Sequence, residues 1–276
     1  MVNSEYAALK SALSWHIDAG AEFAFSDRPV SMLSLKEAAP EQEQSVKQPA
    51  PPISFPEPPA PAFIGASEAR VEAVRLAAAA ETLDQLREAI AGFEGIGLKD
   101  TASNLVFAGG QAGAKVMFIG DAPSGDDDRE GQPFAGANGQ LLDAMLKAIG
   151  FTRGEGDHTI YISNVINWRP PGNRSPTPAE IEVSLPFIER HIQLAKPQML
   201  VLLGDAAKAL SGKSDNISKL RGKWFDYLPQ TPEFQNGAIP IPAISTYHPA
   251  YLSQNPAQKR ASWGDLLDIL EKYKTM

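Results

Sequence analysis

Hydrophobic positions change rhythm along this chain. Over residues 4–19, Tyr6, Leu9, Leu13 and Ile17 recur every three or four positions, which predicts a short amphipathic helix. Two more helices are expected at 66–80 and 81–92, the second opened by Thr82 as N-cap with Leu83, Leu86 and Ile90 on one face. Beyond them the apolar residues gather into short β-rich runs: KVMFIG at 115–120, TIYISNV at 159–165, MLVLLG at 199–204 and IPIPAIST at 239–246. Helical spacing returns at 138–149, 178–195, 205–211 and 256–274. The 178–195 segment has a marked start, because Thr177-Pro178-Ala179-Glu180 combines an N-cap, a first-turn proline and a capping-box glutamate. Strands alternating with helices predict an α/β fold of three layers, α/β/α, around a central, mainly parallel four-stranded sheet. Such sheets bind ligands beyond the C-terminal ends of their strands. Chemistry is therefore expected in segments 121–134, 164–174, 205–208 and 247–252.

The rhythm fails between 27 and 65, where seven of the thirteen residues 49–61 are proline. Proline removes backbone donors and favours extended conformations, so 27–65 is expected to be a semi-rigid or disordered linker. It would join the N-terminal helix of 1–26 to one globular domain over 66–276. The linker or the helix would also suit a docking peptide for a protein partner. No apolar run reaches the roughly 18 residues of a membrane span, and the opening MVNSEYAALK lacks a basic, then apolar, leader pattern. A cytoplasmic protein without membrane contact is expected.

Composition then removes whole classes of chemistry. With no cysteine among 276 residues, disulfides, thiolate zinc sites, cysteine nucleophiles and cysteine-ligated iron–sulfur clusters are excluded. The net charge of −8 argues at first against a DNA partner. Its distribution weakens that argument: residues 1–110 hold 8 Lys and Arg against 15 Asp and Glu, and residues 111–276 hold 17 against 18.

Three post-strand segments carry candidate chemistry. The first, Gly120-Asp121-Ala122-Pro123-Ser124-Gly125 running through Asp126, Asp127 and Asp128 to Gly131-Gln132-Pro133-Phe134, is neither a Walker A loop nor a dinucleotide fingerprint. Its carboxylates would repel a phosphate. A carboxylate at a strand end is suited to orienting water or stabilising a developing cation, though a solvated acidic loop holding a divalent ion would read the same. Phe134 suits a core position or a stacking platform for a base. The second segment puts Asn164 at the end of an apolar strand, where its acceptor and two donors suit a pyrimidine edge or a simple strand cap. Arg169 and Arg174, separated by Pro and Gly, are placed for phosphates. The third is Thr246-Tyr247-His248-Pro249-Ala250-Tyr251-Leu252; His16, His158 and His191 sit in expected surface contexts without accompanying motifs, and His248 alone has company.

The ordered combination resembles family 4 uracil-DNA glycosylases, which read roughly Gly-Glu-Ala-Pro-Gly with acidic residues and Gly-x-Pro-Phe, then Asn-Val with Arg-Pro-Pro-x-Asn-Arg, then His-Pro-x-Tyr-Leu. The likeness runs from about 93 to 274 and includes Gly139-Gln140-Leu141-Leu142-Asp143, Leu220-Arg221-Gly222-Lys223-Trp224 and Lys259-Arg260. It implies a DNA repair hydrolase that leaves an abasic site, with Asp121 and His248 catalytic, the first orienting water or stabilising the sugar cation, the second stabilising charge on the departing uracil. Ala122, Asp127, Phe134 and Asn164 would bind uracil, with Phe134 stacking on the flipped base. Arg169, Arg174, Tyr251, Leu252, Lys259 and Arg260 would contact DNA, single- or double-stranded, Tyr251 and Leu252 from a loop that enters it. No metal is implied, and a monomer is expected.

Two departures qualify the likeness. The family's glutamate is aspartate at 121, one methylene shorter, so a water would sit closer to the backbone or be held by Asp127 as well. The four cluster cysteines would fall near Phe93, Ile96, Trp168 and Ser184, and none is present, so no iron–sulfur cofactor is expected. These departures leave a second reading, a catalytically reduced DNA- or uracil-binding module of the same fold, and the proline-rich linker leaves a third, a scaffold for repair or replication proteins.

Overall fold

The computed structural model describes residues 66–156 and 158–276; the helix expected at 4–19 and the proline-rich linker lie outside the described residues. Helix α1 (Ala66–Ala79) buries an alanine stripe, Ala69, Ala73 and Ala77. Small side chains at four-residue spacing let it approach closely the long helix α5 (Pro178–Ala195). Helix α2 (Leu83–Gly92) is capped by Thr82, whose hydroxyl accepts from the Gln85 amide at 3.2 Å, and buries Leu86 and Ile90 as its spacing predicts. Helix α5 begins at Pro178 with the expected reciprocal capping box between Thr177 and Glu180.

Strands β2 (Val116–Gly120), β3 (Ile160–Asn164), β4 (Met199–Leu203) and β6 (Ile241–Thr246) pair in parallel in the order β3-β2-β4-β6. The sheet has six strands rather than the expected four. Antiparallel β1 (Ala108–Gly110) joins the β3 edge, and β5 (Trp224–Tyr227) joins the β6 edge. Neither shows a usable alternation, since β1 is only AGG and β5 spans four residues. The strand run expected from 239 begins at Ile241, and Ile239 stands outside it, 81% exposed.

Alternate strand residues face opposite layers. Met117, Ile119, Tyr161, Leu200 and Leu202 join the core beneath α1, α2, α5 and α6 (Ala206–Ser211), with Leu86, Ile188 and Ile192. Val116, Phe118, Ile160, Ile162, Val201 and Ile244 join the core beneath α4 (Gly136–Ala148) and α9 (Lys259–Lys274), with Leu142, Leu146, Leu266 and Ile269. Burying each Leu- or Ile-sized side chain contributes about 1.5–3 kcal/mol. This double apolar cover leaves the polar ends of four parallel strands as the place where side chains can serve something other than packing.

Three short helices were not anticipated: α3 (Gly125–Glu130) inside the acidic segment, α7 (Ile217–Leu220), and α8 (Pro249–Gln254) directly after His248. Helix α9 starts at Lys259 because Pro256–Gln258 forms a separate 3₁₀ turn. Of the histidines expected at the surface, His191 is buried: its Nε2 lies 2.9 Å from the Tyr161 hydroxyl and its ring is stacked against Phe107 at 4.4 Å. Burial drives its pKa down to about 3. His16 is outside the described residues.

Candidate active site

The parallel register sets the site. Gly120 pairs with Asn164 at one end of the sheet, and Leu203 pairs with Thr246 beside them. The chain leaves β2 into Asp121, β3 beyond Asn164, β4 through Gly204 into Asp205, and β6 through Tyr247 into His248. The Val165 amide donates to the Gly120 carbonyl at 2.8 Å and the Ile166 amide to the Asp121 carbonyl at 3.1 Å. Pairing thus continues past the strands and fixes the backbone of Asp121.

Gly120 is the floor. A Cβ there would lie 2.7 Å from Phe134 Cζ and closer still to Asn164 Oδ1, so the glycine lets a ring and a carboxamide converge over bare backbone. Asn164 is 1% exposed, and neither its Nδ2 nor its Oδ1 has a hydrogen-bond partner. Leaving a buried amide unpaired costs about 1–3 kcal/mol, a cost that packing alone has no reason to retain.

Phe134 is held over that floor in a left-handed conformation, φ 55°, which is unfavourable for a side chain of its size. Its neighbours hold it there. Asp127 closes a capping box on α3, with the Ser124 amide donating to Oδ2 at 2.9 Å, while Oδ1 accepts from the Ala135 amide at 2.7 Å. Arg153, paired with Asp143, donates to the carbonyls of Pro133 and Phe134 at 3.1 and 3.0 Å. Gly139 completes the fit, since a side chain there would collide with the Phe134 carbonyl. Asp127, expected at the uracil or its water, thus has both carboxylate oxygens engaged by backbone amides of the loop that carries Phe134. Burial raises its pKa, opposed by the amides of Ser124, Ala135 and Phe134. Ala122 lies half-buried between Asp121 and Pro123.

His248 caps α8: its Nδ1 accepts from the Ala250 amide at 3.2 Å, which leaves the proton of the neutral ring on Nε2. That Nε2 lies 3.9 Å from Asp121 Oδ1, too far for a hydrogen bond, so both groups remain available to a third atom. The His248 ring is 5.2 Å from that of Phe134. Burial lowers the His248 pKa from the ordinary imidazole value, opposed by the carboxylates of Asp121, Asp127 and Asp205. Gly204 makes room for it, as a Cβ there would stand 3.0 Å from His248 Cβ.

The residues expected at DNA divide. Tyr251 is 38% exposed, and Lys259 and Arg260 are exposed without a carboxylate in ion-pair range among the described residues. Arg174 is tied to Glu180 by two hydrogen bonds of 2.8 and 2.6 Å, and Arg169 to Asn173 at 2.7 Å, with Asp128 3.9 Å away. Leu252, expected in the entering loop, is fully buried beside Leu141, Met145 and Leu266. It anchors α8 to α4 and α9 because one helical turn points its side chain inward while leaving Tyr251 outside.

Other contributors were not singled out from sequence. Asp205 borders, with Asp121 and Lys208, a cavity of about 250 Å³, and its only signal was its place directly after a strand. Asp265, buried in α9, accepts from the Thr246 hydroxyl at 2.6 Å and pairs with Arg221, bracing the strand end that carries His248. A helical stripe gives no sign of such a carboxylate until its partners are known. A cavity of about 800 Å³ lies at the other end of the sheet, lined by Gln198, Tyr227 and Ile239.

The described residues contain no cluster of His, Cys, Asp and Glu suited to a metal ion. The positions where the resemblance implies cluster ligands hold Phe93, Ile96, Trp168 and Ser184, all buried, with the Phe93 ring edge-on to Phe187 at 5.2 Å. These residues supply no thiolate and do not fit an iron–sulfur cluster.

Residues 107–267 match the family model described as the uracil DNA glycosylase superfamily. A type-4 uracil-DNA glycosylase of Archaeoglobus fulgidus is 33% identical over 196 residues, 69% of this chain and 93% of that protein. Those of Sulfurisphaera tokodaii and Thermotoga maritima are 32% identical over 69% of this chain and 33% identical over 63% of it, covering 84% and 83% of their own lengths. From the post-strand segments to these relatives, the observations converge: the chain belongs to the uracil-DNA glycosylase superfamily, with the type-4 enzymes among its relatives.

Proposed function

We propose that the protein hydrolyses the N-glycosidic bond of deoxyuridine in DNA, releasing uracil and leaving an abasic site. The observation that carries this reading is the buried, unpaired carboxamide of Asn164 beneath Phe134, beside Asp121 and His248. Uracil offers an N3–H donor and an O4 acceptor side by side, the complement of one carboxamide. Phe134 stacks on the base, and the Phe134 and His248 side chains part to admit it, since Asn164 is covered in this state.

As the C1′–N1 bond breaks, the base leaves with negative charge on its O2, and the His248 Nε2–H donates to that oxygen. A neutral imidazole suffices, in keeping with the lowered pKa. The Asp121 carboxylate stabilises the cationic sugar and orients the water whose oxygen bonds to C1′, the water's proton passing to the carboxylate and on to the departed uracil anion. Its shorter side chain holds that water closer to the end of β2 than a glutamate would. Extrusion of the nucleotide costs a few kcal/mol, least for mispaired or single-stranded uracil. Tyr251, Lys259 and Arg260 supply contacts that offset it. The protein acts as a monomer and without iron: metal analysis of the purified chain should find none, and stoichiometric iron would contradict this. Alkali treatment after incubation with a uracil-containing oligonucleotide tests the reading. Strand scission by the native chain, lost in Asp121→Asn and His248→Ala, supports it; no scission by any of them leaves the binding-module reading.

A further inference from the structure

We propose that Arg221 and Tyr247 build, beneath Tyr251, a rigid stacking platform whose outer face receives a nucleobase adjoining the extruded uridine. The inference rests on the reading of DNA as the ligand, and it assigns roles to Arg221 and Tyr247 and a nucleobase to Tyr251.

The Tyr247 and Tyr251 rings are stacked, 4.7 Å between centroids and 27° apart in plane. The Arg221 guanidinium lies over the same Tyr247 ring, 5.5 Å from its centroid. Tyr247 thus packs against both groups, and Arg221, Tyr247 and Tyr251 form one contiguous cluster. Its base is fixed. Arg221 donates through Nε to Asp265 Oδ2 at 3.1 Å and through Nη2 to Asp265 Oδ1, and Nη2 also reaches the Ala261 carbonyl at 2.7 Å. Asp265 is anchored in turn by Thr246 at 2.6 Å, and the Tyr247 hydroxyl donates to Ser218 Oγ at 3.4 Å.

The top of the stack is open. Tyr247 is 5% exposed and Tyr251 38%, although the next residue, Leu252, is fully buried. A surface tyrosine stacked on a buried, hydrogen-bonded ring loses little freedom when a further ring settles on it. It stands three residues after His248 and near the start of the helix bearing Lys259 and Arg260, where a DNA strand feeding the site must pass. Every base has a π-face, so the platform accepts any neighbour of uracil and favours bases already unstacked, as in single strands.

The test uses the full chain and oligonucleotides in which 2-aminopurine adjoins, on either side, a 2′-fluorinated deoxyuridine whose glycosidic bond resists cleavage. Stacking quenches 2-aminopurine. The native chain is expected to quench it on one side, Tyr251→Phe to retain the quench, and Tyr251→Ala to lose it with dissociation constants raised about 5- to 100-fold. Tyr247→Phe is expected to retain the quench. Tyr247→Leu and Arg221→Lys are expected to diminish it while their circular dichroism matches the native chain. Absence of quenching on both sides, or quenching unchanged in Tyr251→Ala, overturns the proposal; quenching unchanged in folded Tyr247→Leu removes the lower layers from it. Uracil release is scored separately on unmodified deoxyuridine. Quenching without release would sink the glycosylase reading and keep the platform.

Discussion

Replacing Asn164 by leucine should make the protein more stable and inactive at once. The side chain is 1% exposed with both amide atoms unpartnered, and leucine has nearly its shape without its polarity. Relief of the unpaired amide is worth about 1–3 kcal/mol. For a domain of this size, each kcal/mol shifts the melting temperature by about 2–4 °C, so a rise of about 2–12 °C is expected. Catalysis moves the other way. The variant forfeits two hydrogen bonds of about 0.5–1.5 kcal/mol each and strands the uracil N3–H and O4 without partners, adding about 1–3 kcal/mol. Together these predict a fall in kcat/KM of roughly 10²- to 10⁴-fold. Differential scanning calorimetry and single-turnover uracil release measure the two effects on one preparation. A leucine variant that melts lower than the native chain, or that retains activity, would show that the Asn164 amide serves the fold rather than the base.

Two other expectations follow from neighbouring observations. Gly120→Ala places a methyl 2.7 Å from Phe134 Cζ, so kcat/KM should fall about 10- to 100-fold, the worth of the lost base stacking, with a stability cost of about 1–3 kcal/mol from overpacking; an alanine variant with native kcat/KM would remove the glycine from the pocket floor. His191, with a folded pKa of about 3 against about 6.5 when unfolded, leaves the unfolded chain with one more proton between those values. Its contribution is complete above about pH 6.5 and is lost as pH falls toward 3, at about 1.4 kcal/mol per pH unit. Urea unfolding at pH 7, 6 and 5 should therefore show a shallower acid loss in His191→Gln than in the native chain, and equal slopes would contradict the burial argument.

What the sequence displays and what it hides follow from the range of the forces involved. The apolar runs of β2, β3, β4 and β6 are legible because strands buried on both faces must be apolar throughout, and α5 is legible because its cap is local: Thr177, Pro178 and Glu180 suffice. Short edge strands such as Ala108–Gly110 are not legible, since pairing with Ser163, Ile162 and Tyr161, rather than their own pattern, makes them strands. The same division runs through the site. Asp121, Phe134, Asn164 and His248 stand at strand ends or in punctuated loops, where the topology predicts chemistry. Asp127 and Leu252 share those motifs, yet a capping box engages one and a helical turn buries the other. Arg221 and Asp265, 44 residues apart, announce themselves only when the fold brings them together.

The central claim is that Asp121 and His248, 3.9 Å apart beside an unpaired Asn164 amide, break the glycosidic bond of deoxyuridine. Its most direct measurement is release of free uracil from a radiolabelled deoxyuridine oligonucleotide under single-turnover conditions, alongside otherwise identical thymidine and deoxycytidine oligonucleotides. Release is expected from the deoxyuridine strand, reduced at least about 100-fold in Asp121→Asn and in His248→Ala, in line with removal of a charge-stabilising group. Binding of the uracil strand without any release of uracil by the native chain would contradict it.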